Sequence, residues 1–70
     1  MANSTAKEYF LAIRDNRVLY RETSARKLAD AMQGISNNSH AWYSRNFKRN
    51  GNHFLAVFNN EVYGFQKILI

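Results

Sequence analysis

The sequence predicts an α+β domain of order ββαβββ, an antiparallel sheet with one helix packed on one of its faces. Three observations predict it. Asn50-Gly51 and Asn59-Asn60 interrupt an aromatic and aliphatic run from Ala41 to Ile70. Both pairs suit two-residue hairpin turns, whose central residues take positive φ. Asp15-Asn16 interrupts a second alternating run, and a helical stripe lies between the two runs.

The 70 residues make one domain, and Met1–Ala6 reads as a small, polar, disordered lead-in. From Tyr9 to Arg14 the residues alternate, with Tyr9, Leu11 and Ile13 on one side and Phe10, Ala12 and Arg14 on the other. Arg17 to Arg21 continues as a second strand. A two-residue turn at Asp15-Asn16 sets Ile13 against Val18 and Leu11 against Tyr20. Thr23 or Ser24 then suits a helix N-cap. Ala25, Leu28, Ala29, Met32 and Ile35 follow as one stripe, and Gly34 suits a left-handed stop. Ser36 to His40 reads as a polar loop.

The last stretch reads as a three-stranded meander. Turns at Asn50-Gly51 and Asn59-Asn60 place Phe47 opposite Phe54, Val57 opposite Val62 and Phe54 opposite Phe65. One face then collects Tyr43, Arg45, Phe47, Arg49, Phe54, Phe58, Tyr63, Phe65 and Lys67. The other collects Trp42, Leu55, Val57, Val62, Ile68 and Ile70. The aliphatic face is the expected seat of the helix, which leaves the aromatic and basic face open. A slip of one residue in either turn exchanges the two faces.

Composition narrows the functional classes. Ten Lys and Arg against five Asp and Glu give +5 and a pI near 10.0, a balance suited to DNA, RNA or an acidic protein surface. No cysteine is present, which removes disulfides and thiolate metal sites and fits a reducing, cytoplasmic setting. No apolar run approaches a membrane span, and the start lacks the order of a signal peptide. Five scattered carboxylates and two histidines, His40 and His53, form no pattern for catalysis or metal binding. The expectation is a protein that is not an enzyme and needs no cofactor.

Three groups of residues suit nucleic acid. Tyr43 and Tyr63 offer half-exposed rings for base stacking, beside Lys67. Arg45, Lys48, Arg49, Asn52 and His53 surround the Asn50-Gly51 tip, where a two-stranded ribbon can enter a groove or grip phosphates. Arg14, Arg17 and Arg21 line the first hairpin, and with Arg26 and Lys27 they frame the helix N-terminus as an anion site. For each group the structural alternative is a core ring or a solvated charged face. An aromatic and basic meander of this kind resembles the DNA-reading sheets of AP2-type and integrase arm-type domains, which carry a helix after their third strand. The small size, the hairpin-then-helix order and the Asn-rich, Pro-free composition are similar to small phage accessory proteins. That likeness implies inhibition of a host enzyme or defence complex through the basic surface or an exposed edge strand. A third reading is a homodimer, in which two copies bury their open aromatic faces against each other.

Overall fold

The computed structural model describes residues 8–69, so the lead-in expected at Met1–Ala6 lies outside the described residues. Strands β1 (Glu8–Arg14) and β2 (Arg17–Glu22) form the first hairpin, and β3 (His53–Phe58) and β4 (Glu61–Leu69) form the last. Both hairpins turn through the same backbone. Asp15 and Asn59 have φ 54°, and Asn16 and Asn60 have φ 64°. Asn and Asp tolerate this left-handed pair, whose twist matches the flanking strands. The expected pairing of the last hairpin holds: Val57 faces Val62, Ala56 faces Tyr63 and Phe54 faces Phe65. In the first hairpin Ile13 faces Val18 as expected, but Leu11 faces Arg21 instead of Tyr20. A bulge between Ala12 and Ile13 absorbs one extra residue on β2 and shifts the register beyond it.

The four strands form one antiparallel sheet in the order β2-β1-β4-β3. Two helices connect the hairpins, α1 (Ala25–Met32) and α2 (His40–Arg49). The observed order is ββααββ, not ββαβββ. Because β2 and β3 are opposite edges, the connecting helices must cross the sheet and lie on one face of it. Helix α1 follows the expected reading. The Ser24 side chain accepts the Lys27 N–H at 3.1 Å, and Leu28, Ala29 and Met32 are buried. Gly34 has φ 94°, and the Ile35 N–H donates to the Met32 carbonyl at 2.9 Å to close the end.

The first strand expected of the meander, carrying Trp42 through Arg49, is instead part of α2. Tyr43 and Phe47, four residues apart, form its buried edge, with Trp42 and Asn46 half-buried beside them. Ser39 caps the helix, accepting the Trp42 N–H at 3.3 Å, so the expected polar loop ends one residue early. Asn50-Gly51 stops the helix rather than turning a hairpin. Gly51 has φ 73°, and the Asn52 N–H donates to the Phe47 carbonyl at 2.8 Å. That six-to-one bond marks a Schellman stop. A hairpin tip and a helix stop both need a left-handed glycine, so the dipeptide alone does not separate them.

The helices cover the aromatic face. Phe10, Ala12, Tyr43, Phe47, Phe54, Tyr63 and Phe65 join Leu28, Ala29 and Met32 in one core. Phe54 and Phe65 stack at 4.9 Å, and Phe47 meets Phe54 edge-on at 4.9 Å. The expected arrangement, with the helix on the aliphatic face, is therefore reversed. Two short helices can cover only one side of four strands. Rings bury about 150–250 Å² each, so covering that side removes the larger apolar area from water.

One polar atom in this core is unpaired. The Tyr43 hydroxyl is fully buried and has no hydrogen-bond partner among the described residues. Burial raises its pKa above the ordinary 10.0; the nearby Ser36 hydroxyl offsets this in part, but it does not meet hydrogen-bond geometry. An unsatisfied buried hydroxyl costs about 1–3 kcal/mol, so Tyr43→Phe is expected to stabilise the fold by about 1 kcal/mol in urea melts. With the folded pKa raised, the neutral phenol's contribution is complete below pH 10.0 and is lost as pH rises through the folded value. The alkaline loss of stability is therefore expected to be smaller in Tyr43→Phe. Equal midpoints and equal alkaline limbs for the two proteins would refute the unpaired hydroxyl.

Candidate interaction surfaces

Among the described residues nothing covers the side of the sheet away from the helices, and it is aliphatic. Its residues fall into cross-strand rows. Val57 lies beside Val62, and the next row runs Val18, Ile13, Gly64, Leu55. A polar row follows, Arg21, Leu11, Gln66, His53, and then Tyr9 beside Ile68. Leu55 is 75% exposed, Val57 65%, Val62 56% and Val18 55%. This concentration on one face differs from the scattered apolar residues of ordinary surfaces. Gly64 makes a dip in the face. A Cβ placed there meets Leu55 Cδ2 at 3.5 Å, and a shallow hollow of about 260 Å³ lies over it, bordered by Ile13, Leu55 and Gln66. The face carries one guanidinium, Arg21, held 5.1 Å over the Tyr9 ring at the β2 side. Strand alternation places no carboxylate on it.

The residues expected to bind nucleic acid do not form one site. Tyr43 and Tyr63 are 0% and 2% exposed, so neither ring can stack a base. Phe47, Phe54 and Phe65 are buried with them, and Phe58 packs against the same core. The aromatic and basic platform expected from strand alternation is thus the inside of the protein. Lys67 lies on the helix side, 3.2 Å from Glu8 and 5.6 Å from the Phe10 ring centre. Arg14 donates to the Tyr63 hydroxyl at 3.3 Å and meets Glu61 at 3.0 Å. The Tyr63 hydrogen bond first, and Glu61 second, raise its pKa. It ties the two hairpins together. Arg17 is exposed opposite Arg14 on the sheet edge, while Arg21 and His53 lie on the uncovered face.

Arg45, Lys48 and Arg49 are exposed on α2, not at a ribbon tip, and Asn52 is exposed in the joint after it. Arg26 and Lys27 are exposed on α1. None of these five cations makes an ion pair among the described residues. Asp30 is the one carboxylate within the two helices. The outer surface of the helix layer is therefore strongly cationic. Lys48 and Arg49 also have a structural use, since positive charge in a last turn favours the helix dipole. The N-terminus of α1 borders an open cleft of about 640 Å³, but its cations are Lys48 and Lys67 rather than the arginines of the first hairpin.

Sequence reading placed Leu55, Val57 and Val62 under the helix and so missed the uncovered face. The available signal was the imbalance between the two faces of the last hairpin, rings on one and branched aliphatics on the other. Among the described residues no group of three His, Cys, Asp or Glu could hold a metal ion. No helix among them is long and apolar enough to cross a membrane. No protein-family model, curated protein or solved structure matches the chain.

Proposed function

We propose that the chain is a protein-association module whose docking surface is the uncovered aliphatic face of its sheet. The observation that carries this reading is the exposure of Leu55, Val57, Val62 and Val18 together on that face. Apolar surface of this kind gains free energy when a partner removes it from water. The two-sided design fits a binder. Rings and helices on one side hold the fold, and the other side is free to dock. Function then consists of occupying a partner's surface, as an inhibitor or adaptor does.

Leu55→Lys/Val57→Lys tests the reading, because exposed positions can change without loss of the core. Tagged wild type and variant are offered a nuclease-treated cell lysate supplemented with a differently tagged second copy of the chain. A stoichiometric protein held by the wild type and released by the variant supports the reading. Identical recovery on both, or none on either, overturns it.

A second reading, binding of nucleic acid, rests on a separate observation. Five exposed cations without ion-pair partners among the described residues stand on the helix layer. Their support is charge alone, since the ring platform is internal. Lys and Arg on helices can neutralise phosphates and release counterions. Arg45→Ala/Lys48→Ala/Arg49→Ala is then expected to lower DNA and RNA retention. It should also reduce the slope of log affinity against log salt by about 2–3. Unchanged retention and slope would remove nucleic acid as a partner of this surface.

A further inference from the structure

We infer that the occupant of the uncovered face is a second copy of the chain, packed sheet against sheet about a two-fold axis. The inference rests on the docking reading above and names its partner.

Shape is the first argument. A two-fold interface uses the same patch on both partners, so the patch must carry both projections and a recess to receive them. This face has both. Leu55, Val57 and Val62 project from the β3–β4 hairpin, and the hollow over Gly64 lies beside them. Side chains on facing sheets interdigitate across about 10 Å.

Area is the second argument. Four strands at ~4.8 Å spacing, each about seven residues at ~3.3 Å, make a face on the order of 450 Å² in projection. Two such faces bury on the order of 1,000 Å², which reaches the lower bound of specific association. The expected dimer is therefore reversible with concentration rather than permanent.

Charge is the third argument. Each copy carries +5, which opposes pairing through most of its surface. The uncovered face is the exception, since its one guanidinium lies at the β2 side over Tyr9. Arg26, Lys27, Arg45, Lys48 and Arg49 stand on the helix layer, across the sheet from it. Sheet-to-sheet pairing turns the two cationic layers outward. They are then separated by two sheets and two helix layers, roughly 30 Å, several times the Debye length of about 8 Å. A patch with no carboxylate and one Lys or Arg among the described residues also has little with which to select a strongly charged partner.

The test is solution mass against concentration, by light scattering or sedimentation, for the wild type and Leu55→Lys/Val57→Lys, with uncharged Nile red as a probe of open apolar surface. The wild type is expected near twice 8.2 kDa at the top of the concentration series. It should fall to 8.2 kDa on dilution. The variant should stay at 8.2 kDa throughout, with the dissociation constant raised at least ~100-fold. Circular dichroism checks that it folds. Val18→Lys, on another strand of the same face, replaces it if it does not. A wild type at 8.2 kDa throughout that binds Nile red overturns the second copy and leaves the face to another protein. A wild type at 8.2 kDa that binds no dye overturns the docking reading as well. A dimer that survives the lysine substitutions overturns the face as the seat of pairing.

Discussion

Phe65→Ala is expected to destabilise the domain by about 3–5 kcal/mol, a large share of its total stability. Phe65 is 2% exposed and lies on β4 near the middle of the ring cluster. It stacks on Phe54 at 4.9 Å and meets Tyr43 edge-on at 5.4 Å and Phe58 at 6.2 Å. Removing the ring loses its transfer free energy and opens a cavity between rigid neighbours that cannot collapse into it. A 70-residue domain has roughly 4–10 kcal/mol in total, at about 0.05–0.15 kcal/mol per residue. Phe65→Leu keeps most of the volume and should cost about half as much. Val57→Ala, one strand away but on the uncovered side, should change the stability of the monomer by no more than about 0.5 kcal/mol. Urea melts at one low protein concentration compare the three, since dimer formation would otherwise add to apparent stability. Similar losses for Phe65→Ala and Val57→Ala would mean that the helices do not lie where the core places them.

Asn59→Ala/Asn60→Ala is expected to cost about 1–3 kcal/mol, although neither side chain is buried. Both residues are exposed and hold φ 54° and 64°. Alanine in this region meets the Cβ–carbonyl clash that costs about 1–2 kcal/mol per residue, which Asn partly avoids. Asn60→Gly restores the preferred Asn-Gly pair and should match or slightly exceed the wild type in urea. The turn also matters for association. It fixes the register of β3 on β4, and that register directs Leu55, Val57 and Val62 outward together. A register slip would send those residues toward the helices and the rings outward. Ala-Ala at the turn should therefore weaken self-association along with stability. If the Ala-Ala protein melts with the wild type, the left-handed pair is not what holds this hairpin.

How far each element could be read from residues follows from the range of the force that sets it. The turns at Asp15-Asn16 and Asn59-Asn60 were legible because positive φ is a local steric demand. Helix α1 was legible because Ser24, its stripe and Gly34 are all local signals. Helix α2 was not. Tyr43, Arg45, Phe47 and Arg49 alternate like a strand, while Tyr43 and Phe47 also fit a helix, and both patterns end at the same Asn50-Gly51. The bulge that moved Leu11 from Tyr20 to Arg21 left no residue mark at all. Of the residues expected to bind, Arg45, Lys48, Arg49 and Asn52 are exposed together around α2 and its end, whereas Tyr43 and Tyr63 are interior.

Residue order alone established the alternation of the last hairpin, and so which of its side chains travel together on a face; in the first hairpin the bulge exchanged the sides of Tyr20 and Arg21. Residue order left open which of the two faces would be dry, because alternation is symmetric and each face is apolar. The long crossing from β2 to β3 settled that, by laying two helices over one side, and the side with the rings hides more surface. Turns obey short-range sterics, whereas burial depends on what the whole chain can cover.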